Sequence, residues 1–209
     1  MATSYVVKQG DHLSRIAFEH GFRDFHTIWD DPANAALKKL RGNPNVLMPG
    51  DTVVIPDRSQ RIEKRPSGAT HIFVTPIPTL RLRVVVRDVN GDPIPDKDCE
   101  LVVDGEKKML KTDGDGRIDE ELPILAQGGA LVLDGGEYEL KIGDLDPIEE
   151  QSGQRARLAN LGYYLGGEIE IDEEELKSAV EEFQCDFDLF VDGICGPKTQ
   201  KKLLKEHGC

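Results

Sequence analysis

The chain contains no run of about 18 or more apolar residues, so no membrane-spanning helix is expected. It is also short of basic residues: 26 Lys and Arg stand against 39 Asp and Glu, a formal net charge of −13. Affinity for nucleic acid rests on concentrated Lys and Arg, so this balance argues against a nucleic-acid partner, and an anionic membrane surface fits as poorly. The four cysteines, Cys99, Cys185, Cys195 and Cys209, are scattered, with no Cys-x-x-Cys pair and no neighbouring histidine cluster that would make a zinc site. Reduced thiols in a cytoplasmic protein are the simplest reading, and a Cys185–Cys195 bridge is the alternative if the protein ends in an oxidising compartment. The histidines, His12, His20, His26, His71 and His207, lie in distant segments without a His-x-x-x-His spacing, so no metallopeptidase is indicated. Met1 to Gly10 lacks the charged region, apolar stretch and cleavage site of a secretory signal, which implies a chain that is cytoplasmic as synthesised and reaches the envelope only by another route.

The chemistry of an enzyme is equally scarce. No Gly-x-Ser-x-Gly occurs. The carboxylates of Glu168 to Glu175 form a charge run at a helix start, which is ordinarily a solvated face rather than a glycosidase pair. Asp113-Gly114-Asp115-Gly116 suggests a calcium loop, but Arg117 takes the fifth position and no Glu stands at the twelfth, so a β-turn is expected. No catalytic residue, no metal and no cofactor is expected, and the chain reads as non-enzymatic.

What is present falls into modules, giving a multidomain α+β chain. Residues 1–57 read as strand, helix, helix, strand: Tyr5-Val6-Val7, then Leu13, Ile16 and Ala17 at helical spacing, a second helical stretch from Phe25 that is interrupted near Asp30-Asp31-Pro32, where the proline can open a new helix over Ala33 to Leu40, and Thr52 to Ile55 as the closing strand. Residues 58–79 are a linker, basic at first and Pro-containing later, in which His71-Ile72-Phe73-Val74 has the composition of an edge strand. Residues 80–143 alternate like short strands broken by Asn90-Gly91-Asp92-Pro93 and Gly135-Gly136, which predicts a small all-β sandwich. Residues 144–209 return to three helices: one from Gln154 to Leu165, one beginning near Ile171 with Asp172 as cap and Leu176, Ala179, Val180 and Phe183 as its buried stripe, and one from Thr199 to His207.

Three of these segments carry resemblances. Tyr5 to Ala17, followed by Asn43-Pro44-Asn45-Val46 and Pro49 to Pro56, is similar to a LysM domain along its full length, with both strands, the Gly-Asp turn and the closing Ile-Pro in order. It departs from that family at His12, where a small polar residue is usual, and in a longer segment from Asp30 to Gly42. Asp88 to Pro95 with Thr112 to Arg117 resembles transthyretin-like or carboxypeptidase-regulatory-like sandwiches. Arg157 to Tyr164, Ala179 to Gln184 and the Asp-Gly-x-x-Gly-Pro-x-Thr element at Asp192 to Thr199 resemble a three-helix peptidoglycan-binding domain, although the first copy of that element, expected around Gly166 to Asp172, is missing.

The resemblances imply a modular binder of peptidoglycan or a chitin-like oligosaccharide. The LysM resemblance places a sugar groove at Gly10, Asp11, His12, Leu13, Asn45, Val46, Leu47 and Met48. Structural roles for these residues stay open: Gly10 for the turn, Asp11 as helix cap, Leu13 as core. In the C-terminal module Tyr163 and Tyr164 stand either as sugar-stacking rings or as core, and Asp192 and Gly193 either in binding or as the turn feeding a Thr199-capped helix. The order of modules also resembles accessory proteins of type VI secretion spikes and related contractile injection machines. That implies an alternative in which LysM serves as a protein–protein module docking on a secretion spike or baseplate protein.

Overall fold

In the computed structural model the described residues are 2–59, 62, 64–74, 77–88, 90–163 and 172–208. They form a mixed α+β chain with small antiparallel sheets and six α-helices.

The N-terminal unit pairs β1 (Thr3–Val6) with β2 (Thr52–Ile55) in antiparallel register, from Thr3 opposite Ile55 to Val6 opposite Thr52. A two-stranded ribbon is marginal by itself, and here a helical layer covers it: α1 (Leu13–Glu19), α2 (His26–Trp29) and α3 (Ala35–Arg41). The second helical stretch is thus divided into α2 and α3, as its interruption near Asp30-Asp31-Pro32 leads one to expect. Asp31 accepts a hydrogen bond from the Ala33 amide at 2.9 Å, Pro32 opens a 3₁₀ turn over Pro32–Asn34, and that turn leads into α3. This accounts for the long Asp30 to Gly42 segment. Val7, Leu13, Ile16, Ile28, Trp29, Leu37, Leu47, Val53 and Ile55 form one core. Asn34, buried at the end of the 3₁₀ turn, completes the free edge of β2. Its Nδ2 donates to the Val54 carbonyl at 2.7 Å and to the Ile28 carbonyl at 2.8 Å, and its Oδ1 accepts from the Val54 amide at 2.8 Å. Arg41 grips Asp51 with two hydrogen bonds of 2.7 and 2.8 Å, fixing α3 to the turn before β2.

No strand forms at residues 71–74, against the edge-strand expectation. Ile72, Phe73 and Val74 are exposed there, without a ladder to join.

The central unit has two antiparallel sheets. β3 (Thr79–Val85) pairs with β6 (Arg117–Pro123). β4 (Asp98–Val103), β5 (Glu106–Lys111), β7 (Gly128–Leu133) and β8 (Gly136–Lys141) run in the order β5-β4-β7-β8. Alternation puts Cys99, Leu101 and Val103 of β4 and Ile118 and Leu122 of β6 into a single core with Val86 and Leu131, so both sheets cover the same apolar volume. Asp113 to Gly116 is a turn: the Gly116 amide donates to the Asp113 carbonyl, and the Asp113 carboxylate accepts from the Asp115 and Arg117 amides. Among the described residues no group of His, Cys, Asp or Glu is arranged to hold a metal, and no helix is long and apolar enough to cross a membrane.

The C-terminal unit consists of α4 (Gln151–Asn160), α5 (Glu173–Asp186) and α6 (Pro197–His207). Asp172 caps α5 as expected, accepting from the Glu174 and Glu175 amides, and Glu173 to Glu175 complement the helix dipole. α4 begins earlier than its apolar spacing indicates and ends by Asn160, because Gly162 follows at φ +89° and turns the chain away. Ile148, Leu158, Leu176, Ala179, Val180, Phe183 and Leu203 form the core of this unit.

Candidate functional site

The residues expected to line a sugar groove are mostly inside the N-terminal unit. Leu13 is fully buried in its core, and Val46 and Leu47 are 5% and 3% exposed. Asp11 does not cap α1. Its carboxylate accepts from the Lys8 amide and the Tyr5 hydroxyl, both at 2.8 Å, and so closes the Gly10 turn. The cap is His12, whose Nδ1 accepts from the Arg15 amide at 3.3 Å. His12 is 3% exposed and its Nε2 has no partner. Burial, and then the nearby Arg15 charge, hold its pKa down at about 4, so the ring is neutral near pH 7.

A strap between the central and C-terminal units covers this surface. Gly143 adopts φ +85° and lies so close that an added Cβ would stand 2.5 Å from the Gly10 carbonyl oxygen and 3.3 Å from His12 Cδ2. Gln9 Nε2 donates to the Asp144 carboxylate at 3.4 Å and to its carbonyl at 3.5 Å. Nearby, the Gln127 side-chain amide lies against the Arg15 guanidinium. Of the eight expected groove positions, only Asn45 is exposed, with Gly10 and Met48 half-buried.

The C-terminal unit presents a different surface. α5 and α6 are joined by residues 187–196, and the side chain organising this loop is Gln184, which is 1% exposed. Its amide nitrogen donates to Asp192 Oδ1 at 2.9 Å, to the Ile194 carbonyl at 3.0 Å and to Thr199 Oγ1 at 3.0 Å. Its oxygen accepts from the Asp192 and Gly193 amides at 2.9 and 3.0 Å. The Asp192 carboxylate in turn accepts from the Ile194 amide, and these bonds, Gln184 first, hold it below the usual carboxylate range. Asp192 and Gly193 therefore form the turn. Thr199 does not cap α6; Gly196 stands at the cap, Pro197 occupies the first turn, and Thr199 is buried against Gln184.

Behind the loop, Arg157 is also 1% exposed and donates to the Asp146 and Gly153 carbonyls at 2.8 and 2.7 Å, tying α4 to the segment before it. Tyr163 packs edge-on against Phe183 at 5.4 Å, and its hydroxyl donates to Asp186 at 2.9 Å. Burial, then that bond, push its pKa up to about 12. Its ring serves the core more than the surface. Tyr164 and the stretch expected to hold the first Asp-Gly element, up to residue 171, lie outside the described residues. Cys185 and Cys195 are free thiols, and burial pushes Cys195 up to about 11, away from thiolate chemistry.

What the locked loop holds outward is apolar. Phe190 is 83% exposed, Val191 50% and Ile194 66%. None of the three stood out in the sequence, where an apolar residue is ordinarily read as core. Gln184 and Arg157 were missed as well, although each is a polar side chain on the apolar stripe of its own helix, which is the available signal.

Residues 155–203 match the family model described as "Putative peptidoglycan binding domain". The C-terminal unit is thus similar to that domain over the later part of α4, all of α5, the locked loop and the greater part of α6. No curated protein and no solved structure matches the chain.

Proposed function

We propose that the protein is a non-catalytic peptidoglycan-binding protein whose C-terminal unit makes the contact with the wall. The observation that carries this reading is the family match at residues 155–203, which takes in α5 and the loop after it that Gln184 locks. A rigid loop loses little conformational freedom on binding, so even a small contact area yields net affinity. The reading is tested by co-sedimenting the full chain with purified peptidoglycan and assaying the supernatant for released muropeptides. Sedimentation without release is expected. A chain left wholly in the supernatant, or heat-sensitive release of muropeptides, overturns it.

A second role for the N-terminal unit is favoured by the strap over Gly10 and His12. With that face covered, the LysM-like unit acts as a protein-docking module, in keeping with an accessory or cargo protein of a type VI secretion or related injection machine, and contributes no sugar groove in this arrangement. Its partner is a secretion spike or baseplate protein, and the C-terminal unit meets peptidoglycan separately.

A further inference from the structure

The loop between α5 and α6 presents Phe190, Val191 and Ile194 to solvent although its backbone is fixed from within. Slack does not explain the exposure. Asp188 and Gly193 hold left-handed conformations at φ +51° and +70°, and the Lys177 side chain lies against Gly193, so the turns are defined and the three apolar groups point away from the core that Phe183 and Leu203 fill. Among the described residues, none of the three belongs to the core of this unit. Clustered exposed apolar groups on a pinned loop are the mark of a contact surface.

Charge selects what the surface contacts. Asp188 and Asp192 flank Phe190 and Val191, both exposed, while the neighbouring Lys177 lies 3.7 Å from Glu181. The chain as a whole carries −13. Peptidoglycan offers two chemistries: stem peptides whose carboxylates outnumber their amines, leaving them net anionic, and a glycan strand whose N-acetylated sugars present C–H faces and methyl groups. Carboxylates brought against Asp188 and Asp192 are repelled. The sugar faces suit an aromatic ring and branched aliphatic side chains.

We propose that Phe190, Val191 and Ile194 form the face that takes the glycan strand, and that the stem peptides are not bound. This rests on the peptidoglycan-binding reading above and specifies its ligand.

The test is co-sedimentation of the full chain with purified peptidoglycan. A variant carrying Phe190→Ser, Val191→Ser and Ile194→Ser is expected to bind about tenfold more weakly or worse, the loss that follows when anchor side chains are truncated. Because all three side chains are exposed, its circular dichroism and melting temperature should match wild type. The single change Phe190→Trp, which keeps a stacking face, should retain binding. A control with Ile72→Ser and Phe73→Ser, which removes equally exposed apolar groups from the linker, should bind as wild type does. Glycan strands freed of their stem peptides by an amidase are soluble and serve as competitors: in excess they should draw wild type from the peptidoglycan pellet into the supernatant, and the released stem peptides should not. Wild-type binding that survives the triple change overturns this proposal and leaves the broader reading standing. Glycan strands that fail to compete overturn the glycan assignment, and a wild type that never sediments overturns the broader reading itself.

Discussion

Gln184 and Asp192 bond to each other twice: the Gln184 amide nitrogen donates to Asp192 Oδ1, and its oxygen accepts from the Asp192 backbone amide, both at 2.9 Å. A side chain buried in α5 thereby holds the loop that carries the exposed apolar face, and core integrity is coupled to binding. Gln184→Leu keeps roughly the volume of the side chain but leaves the Asp192 and Gly193 amides and the Thr199 hydroxyl without this partner. An unsatisfied polar group costs about 1–3 kcal/mol, so a drop in unfolding free energy of that order is expected by denaturant titration. Peptidoglycan binding should fall with it. A Gln184→Leu protein of wild-type stability would show that the loop holds itself.

Asn34 makes the equivalent test in the N-terminal unit. Its amide replaces a third strand along β2 by satisfying both backbone groups of Val54. Asn34→Ala strips both partners at once and opens a small void, so a loss of about 2–4 kcal/mol is expected. Asn34→Asp, which cannot donate to the Ile28 and Val54 carbonyls when ionised, should not restore it. Equilibrium unfolding followed by the fluorescence of Trp29, in the same core, reports this directly.

These two residues show where a sequence stops being informative. The stripe Leu176, Ala179, Val180, Phe183 and the Asp172 cap were legible because helical spacing and capping are local. So were β3, β4 and β8 of the central unit, whose signals are local too, and the Asp113 turn. Gln184 and Asn34 act across 8 and 20 positions, and a glutamine or asparagine carries no mark that it will be buried. The resemblance at Gly10 to Leu13 indicated a groove, but Leu13 lies in the unit's own core, and what lies over Gly10 and His12 is Gly143, more than 130 positions along. Phe190 is hidden for the opposite reason, since an apolar residue in a sequence reads as core.

His12 gives the chain a pH dependence whose sign follows from its burial. Its folded pKa of about 4 lies below the ordinary 6.5, so the unfolded chain takes up the proton first as pH falls. Stability contributed by His12 is therefore complete above about pH 6.5, declines between there and pH 4, and is flat below; the whole step is at most about 3 kcal/mol. His12→Asn keeps a capping oxygen and cannot titrate. Subtracting its stability profile from that of wild type isolates His12 from the carboxylates that titrate over the same range. A difference that stays constant from pH 7 to pH 4 would falsify the assignment.

The strap itself is open to a direct measurement, because His12 reports on its cover. Gly143 needs both its left-handed backbone and the absence of a Cβ, which would meet the Gly10 carbonyl oxygen at 2.5 Å. Gly143→Val introduces a β-branched side chain at a φ that L residues rarely adopt and in space already filled, so the strap must lift away. The N-terminal core does not include residue 143, and the unit should stay folded, as the Trp29 signal would report. With the cover gone, water reaches the His12 ring and the desolvation that depresses its pKa is relieved, while the Arg15 charge remains. Titration of the His12 ring protons by NMR should then show the midpoint move from about 4 up toward 6.5, with Gln9 losing its Asp144 partner at the same time. Retention of the low midpoint in a folded Gly143→Val protein would mean that the N-terminal unit alone buries this ring, and that the strap leaves its environment unchanged.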